Sequence, residues 1–350
     1  MYKKLLEMLK NVDAVLLTSP HNMRYFSEFD GGEGYVLICK HARYVLVDSR
    51  YTEMATLMAK DFSVIEFSGN LFEKLQDIIK ENNVKSIGFE DFELSFSTYK
   101  KFLDELKNAE LLPLSSEIDA LRMVKTPEEI AKMEIAEEIG VKAFLHILKY
   151  LKIGVSESDI ATEIEYSMRK NGGSGTSFDT IVVSGAKSSL PHGKPDEKKL
   201  EYGDFVTMDF GCKYNGYCSD MTRTIVMGQA SDEQKKIYNV VKDAQTAGLS
   251  AIRAGILGKD ADTVARKVIE DSGYGKYFGH SLGHGVGLCI HELPNLSPKS
   301  EITLLENMVV TCEPGIYIPS FGGVRIEDMV VVKTESVVNL TKLSKELIEI

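Results

Sequence analysis

The chain has 350 residues, 43% hydrophobic and 27% charged, which is the composition of a soluble globular protein with about two domains and a large core. Its 41 basic and 52 acidic side chains give a net charge of −11, which argues against a nucleic-acid partner, because phosphates are held by basic surfaces. Five cysteines (Cys39, Cys212, Cys218, Cys289 and Cys312) form no CxxC pair and are odd in number, so a disulfide framework or a cysteine zinc site is not expected and a reducing compartment is favoured.

Residues Met1–Lys10 interleave Lys3, Lys4 and Lys10 with Leu5, Leu6, Met8 and Leu9, which reads as a short amphipathic helix rather than a signal peptide. No stretch approaches the roughly 20 apolar residues of a membrane span, so a cytoplasmic protein without a membrane partner is expected. Val12–Thr18, Tyr35–Cys39, Tyr44–Val47, Ser63–Phe67 and Ser86–Phe89 are rich in Val, Ile, Tyr and Phe and predict strands. Tyr51–Lys60, Leu71–Glu81 and Ser97–Leu106 carry helical spacing between them. This is an α/β domain, placed at residues 1–119, with the boundary region at Leu114–Lys125. Thr126-Pro127-Glu128-Glu129 then opens a long helix with an N-cap, a proline in the first turn and a capping box. The second domain is placed at residues 120–350.

Residues 120–350 contain a weak internal repeat. A cap, a long helix and a glycine span Thr126 to Gly154, and Ser231-Asp232-Glu233-Gln234 begins a similar unit ending at Gly255, an offset of 101 for the glycines. Gly172 and Gly273, each closing a second helix, keep that offset, and Val206–Gly211 matches Val310–Gly315 at an offset of 104. A further acid follows in each half, Asp220 and Glu327. Two α/β halves would thus each present two carboxylates.

Asp209 and Asp220 flank the turn Lys213-Tyr214-Asn215-Gly216, as in a hairpin, and Asp209 lies inside the apolar run Phe205–Phe210. Glu313 stands between Val309–Cys312 and Pro314–Ile318, and Glu327 follows Val324-Arg325-Ile326. One such acid is better read as an edge-strand carboxylate or a partner of Arg325. Four in core-like strands need compensation, and a metal pair supplies it. Of seven histidines, four lie between residues 192 and 291: His192, His280, His284 and His291, two of them in the glycine-rich run Phe278–Gly287. His280 and His284 are four apart, which on a helix would put both on one face, but no His-Glu-x-x-His pattern is present. His21, His41 and His146 read as structural or surface residues. An oxygen-rich set with one imidazole suits Mn, Co, Fe or Zn, and two such ions can activate a water near neutral pH. Gly172–Thr176 lacks the spacing of a phosphate loop, no Gly-x-Ser-x-Gly elbow occurs, and Cys312 reads as a small packing residue.

These residues resemble the proline-specific branch of the pita-bread metallopeptidases, aminopeptidase P and prolidase. The order Asp209, Asp220, His284, Glu313, Glu327 matches the family's five metal ligands, and the blocks Leu190–Pro195, Val206–Gly211, Ser219–Thr224, His280–His291, Val310–Tyr317 and Gly322–Asp328 look familial. In the first domain the resemblance is carried by Asn22–Phe26 and Asp48-Ser49-Arg50-Tyr51. The resemblance implies a creatinase-like α/β domain shielding the mouth of a pita-bread domain. It implies two divalent ions, manganese or cobalt with zinc or iron as alternatives: one on Asp209, the other on His284 and Glu313, both bridged by Asp220 and Glu327. It implies Glu313 as general base, His192 and His291 as donors to the scissile carbonyl, His280 as a substrate-site residue, and Arg325 orienting Asp209. It also implies a homodimer acting on short peptides with proline second. The chain departs from some relatives in lacking tryptophan and in its short first domain.

The leading expectation is an Xaa-Pro aminopeptidase, with an Xaa-Pro dipeptidase as its alternative. A methionine aminopeptidase shares the ligand pattern but not the α/β first domain or the Asp-Met-Thr-Arg-Thr and Gly-Gly-Val-Arg-Ile-Glu-Asp contexts. A creatinase-like amidinohydrolase does not need the metal set, and a non-catalytic peptide-binding relative would have lost ligands that here are all in place.

Overall fold

The computed structural model describes Glu7 and residues 10–350; the helix expected at Met1–Lys10 lies, apart from Glu7 and Lys10, outside the described residues. The chain divides into two compact units, Met1–Arg122 and Met123–Ile350.

The first unit alternates β1 (Ala14–Leu17), α1 (Pro20–Ser27), β2 (Tyr35–Cys39), β3 (Arg43–Val47), α2 (Thr52–Met58), β4 (Ser63–Glu66), α3 (Leu71–Glu81), β5 (Ser86–Phe89), α4 (Phe96–Glu105), β6 (Glu110–Pro113) and α5 (Ser115–Met123). Its strands form one mixed sheet in the order β4-β3-β2-β1-β5-β6. Leu16, Leu37, Leu46 and Ile87 project from the sheet onto Leu75, Ile78 and Phe102 of α3 and α4. The segments α1, β6 and α5 had no sequence signal of their own. The start of α1 is held by a distant acid: Glu90 is buried and accepts hydrogen bonds from the Ser19 amide at 2.8 Å and from Asn22 Nδ2 at 2.5 Å.

The second unit is built from two helix pairs, each backing a sheet. The first half runs α6 (Pro127–Ile147), α7 (Glu157–Lys170), β7 (Gly175–Thr176), β8 (Ile181–Ser184), β9 (Phe205–Phe210), β10 (Cys212–Tyr214), β11 (Tyr217–Cys218) and β12 (Met221–Val226). The second runs α8 (Asp232–Ala251), α9 (Gly258–Asp271), β13 (Gly283–Gly285), β14 (Glu292–Leu296), β15 (Val309–Cys312), β16 (Gly315–Ile318), β17 (Gly322–Arg325), β18 (Asp328–Val332) and β19 (Val337–Asn339). Capping boxes open both long helices, Thr126 with Glu129 and Ser231 with Gln234. The main sheets are antiparallel, β12-β9-β8 and β14-β13-β15-β18-β19.

Side chains alternate across a strand, and this alternation places the acids. On β9, Val206, Met208 and Phe210 pack against Ile139, Phe144 and Ile164 of the first helix pair. Thr207 and Asp209 therefore face the other way. On β15, Val310 and Cys312 pack against Ala261 and Ala265 of α9, leaving Thr311 facing away. Asp209 stands opposite Thr222 on β12, and Cys312 opposite Asp328 on β18.

Behind the acids sits a buried cation. Arg223 is 2% exposed; its Nη2 donates to Asp328 at 2.7 Å, and its other donors reach the carbonyls of Thr222, Glu327, Leu343 and Ser344. Asp328 also accepts from Gln245 and Asn339. Without Arg223 the buried Asp328 would keep only Lys345, 3.2 Å away, as a countercharge, and breaking a buried pair costs up to about 3–5 kcal/mol. Arg223→Met should lower the thermal midpoint of the second unit by on the order of 10 °C. An unchanged midpoint in differential scanning calorimetry would contradict this role.

Candidate metal centre

One cavity of about 920 Å³ in the second unit is lined by all nine residues singled out in the sequence: His192, Asp209, Asp220, His280, His284, His291, Glu313, Arg325 and Glu327. His192 and His291 lie at its exposed rim, whereas Asp209, Asp220, Arg325 and Glu327 are buried at its floor.

Asp209, Glu327 and Glu313 each have one carboxylate oxygen held by a protein donor. Asp209 Oδ2 accepts from Arg325 Nη2 at 2.6 Å. Glu327 Oε2 accepts from Thr222 Oγ1 at 2.7 Å, and Thr222 in turn accepts from Arg325 Nε at 3.0 Å. The remaining oxygens, Asp209 Oδ1 and Glu327 Oε1, are buried without a hydrogen-bond partner. Glu313 Oε1 accepts from Thr311 Oγ1 at 3.0 Å, and the Glu313 amide is bonded to Leu282 O at 2.8 Å. The backbone amide of Asp220 donates to Glu137, a carboxyl fully buried in α6.

His284 is aimed at the same point. Its Nδ1 donates to Gly285 O at 3.1 Å, which leaves the Nε2 lone pair facing Asp220 Oδ2 at 3.5 Å and Glu313 Oε1 at 3.3 Å. Burial lowers the pKa of His284 and keeps it neutral. Three ligand atoms, from Asp220, His284 and Glu327, lie within 4.8 Å of one another. Acceptors pointing at one another across such gaps repel unless a cation stands between them. Burial first, and then the neighbouring carboxylates, raise the pKa of Asp220 and Glu327 well above the usual range. Burial pushes Glu313 to about 7. Orphaned oxygens, an unprotonated imidazole nitrogen and mutually repelling acids are what a divalent-cation site requires, so the residues fit such ions.

His280 and His284 do not share a helix face. The segment is extended, and β13 crosses β15 so closely that a Cβ on Gly283 would lie 2.1 Å from Thr311 O. The loop before it is braced by Arg266, which is paired with Asp262 at 2.7 Å and donates to the carbonyls of Phe278 and His280. His280 is 2.8 Å from both Ser281 O through Nδ1 and the Tyr317 hydroxyl through Nε2. Burial lowers its pKa to about 4, so Nδ1 donates and Nε2 accepts. Tyr317 in turn accepts from Arg325 Nη1 at 2.8 Å. A hydrogen-bond chain therefore runs from His280 through Tyr317 and Arg325 to Asp209.

Residues 131–334 match metallopeptidase family M24, and residues 3–124 match the Creatinase/Prolidase N-terminal domain. The chain belongs to metallopeptidase family M24. An Xaa-Pro dipeptidase of Pyrococcus furiosus is 40% identical over 97% of this chain and 96% of its own length. Among solved structures, an Xaa-Pro dipeptidase from Bacillus anthracis is 44% identical, with a TM-score of 0.97 over 100% of this chain and 99% of that one. An X-Pro aminopeptidase from Thermotoga maritima is 39% identical, with a TM-score of 0.92 over 98% and 99% of the two chains. The chain is therefore a creatinase-type N-terminal domain followed by a metallopeptidase domain.

The crowding has a measurable consequence. Asp220→Asn removes one charge from a buried cluster, so without metal the variant should melt no lower than the wild type, and should melt higher if repulsion dominates. With divalent metal added the order should reverse, because only the wild type gains the full binding free energy. A variant that gains as much thermal stability from metal as the wild type would exclude Asp220 as a ligand.

Proposed function

We propose that this protein uses two divalent ions to hydrolyse the bond between the N-terminal residue and a following proline in short peptides. The observation that carries the reading is the set of partnerless ligand atoms at the floor of a cavity large enough for a peptide end. The relatives named Xaa-Pro dipeptidase and X-Pro aminopeptidase supply the substrate class. The Creatinase/Prolidase N-terminal domain favours this branch over a methionine aminopeptidase.

In this reading Asp209 would hold one ion, His284 and Glu313 would hold the other, and Asp220 and Glu327 would be ligands shared by both. Bound there, manganese or cobalt would supply a Lewis acid for the carbonyl and a water ionised near neutral pH; zinc or iron remain alternatives. Glu313 serves as general base for the attacking water. Arg325, held by Tyr317 and Thr222, orients Asp209. His192 and His291 at the rim donate to the scissile carbonyl oxygen as it gains charge. His280, fixed as a neutral imidazole, lines the substrate side of the cavity. Cleavage of dipeptides and of longer peptides both belong to the reading, since the named relatives include both kinds. The reading also includes a homodimer and a cytoplasmic location, the latter in keeping with five free cysteines. Among the described residues no helix is long and apolar enough to cross a membrane.

The direct test is metal-stripped protein reloaded with single ions and offered matched Xaa-Pro, Xaa-Pro-Yaa and Xaa-Ala-Yaa peptides. Metal-dependent release of Xaa only before proline supports the reading; release before alanine at an equal rate contradicts it. Asp220→Ala should reduce turnover to background while the chain stays folded by circular dichroism. His192→Ala should lower kcat by about 10²–10³-fold with metal content kept near the wild-type value, since it removes a donor and not a ligand. Loss of metal from His192→Ala, measured by atomic emission, would overturn that assignment.

A further inference from the structure

The lysine and arginine side chains lining the cavity are Lys194 and Arg325, and they differ in commitment. Arg325 is bonded to Asp209, Thr222 and Tyr317. Lys194 is exposed and makes no hydrogen bond or ion pair with any described residue. Its neighbours in sequence behave otherwise: Lys187 is paired with Glu157 at 2.6 Å, and Lys198 with Asp204 at 2.7 Å. Glu165 and Asp179 also line the cavity, and neither is paired with Lys194.

The position of Lys194 is fixed by the residue before it. The Gly193 amide donates to Leu190 O at 3.0 Å, and a Cβ on Gly193 would lie 2.6 Å from Val183 Cγ1 of β8. The backbone is therefore seated against β8 at Gly193, with His192 and Lys194 on either side of it and both lining the cavity. Leu190–Gly193 forms a turn, and His192 and Lys194, two residues apart, have Cα atoms no more than about 7 Å from each other. One peptide residue spans about 3.3–3.6 Å, so a group one residue beyond a carbonyl held at His192 falls within reach of a lysine stem.

We propose that Lys194 is a specificity-determining residue that binds the free α-carboxylate of proline in an Xaa-Pro dipeptide, so that dipeptides are the preferred substrates. The inference rests on the reading of the cavity as an Xaa-Pro peptidase site. A free carboxylate offers the Lys194 ammonium an ion pair together with a hydrogen bond, whereas the amide carbonyl of a longer peptide offers the hydrogen bond alone. At an exposed position the difference is modest, about two- to fivefold in affinity, and it is weakened by salt.

The test compares metal-loaded wild type, Lys194→Met and Lys194→Arg on Xaa-Pro, Xaa-Pro-amide and Xaa-Pro-Yaa. The wild type should favour the free dipeptide over its amide. Lys194→Met should lower the dipeptide-to-amide ratio of kcat/KM by about two- to fivefold, mainly through KM, and Lys194→Arg should restore it. An equal ratio in wild type and Lys194→Met overturns the role of Lys194 and leaves the peptidase reading standing. A wild type that cleaves no proline peptide with any ion overturns that reading and the inference together.

Discussion

Four carboxylates line one cavity, and their mutual repulsion is the constraint on which the rest of the second unit turns. Water cannot screen acids at this depth, and a protein interior does not tolerate unpaired like charges. The chain answers this in two ways. It supplies one cation of its own, Arg325, and directs it at Asp209. It leaves the other carboxylate oxygens facing a gap that also receives the lone pair of His284, a geometry that makes sense only with positive charge in the gap.

The surrounding architecture is a means of holding that arrangement against its own repulsion. Strand alternation turns Asp209 and Thr311 away from their helix pairs, and the same alternation anchors their strands through Val206, Met208, Val310 and Cys312. Hydroxyls act as spacers: Thr222 links Arg325 to Glu327, and Thr311 links the His284 amide to Glu313. Arg223 and Asp328, one layer back, tie the segment that carries Glu327 to Leu343 and Ser344. These contacts fix where the ligand side chains lie, as outer partners of a metal site do.

Much of this was legible in the sequence for definite reasons. Acids inside apolar runs stand out because burial of charge is costly, and the 104-residue offset between Asp209 and Glu313 exposed the doubling of the acid-bearing strands. Helix α3 was readable residue for residue from its apolar spacing. What escaped were contacts between residues far apart in sequence. Tyr317 reads as one more apolar strand residue, and only the fold brings its hydroxyl between His280 and Arg325. Thr222 and Thr311 are ordinary strand residues until paired with acids. Glu137 lies in a helix rich in acids, and nothing local marks it as the one beneath the Asp220 amide. The spacing of His280 and His284 pointed towards a helix that the flanking glycines do not form. The Arg266–Asp262 pair, at i and i+4 on α9, is a bracing contact that does carry a local signal.

The central claim is that two cations complete this floor. Diffraction from crystals grown with manganese, collected on either side of its absorption edge, measures this directly. The account predicts two anomalous peaks about 3.5–4 Å apart, enclosed by Asp209, Asp220, His284, Glu313 and Glu327, with Arg325 still bonded to Asp209. A single peak outside that ring, or none at saturating metal, would contradict it.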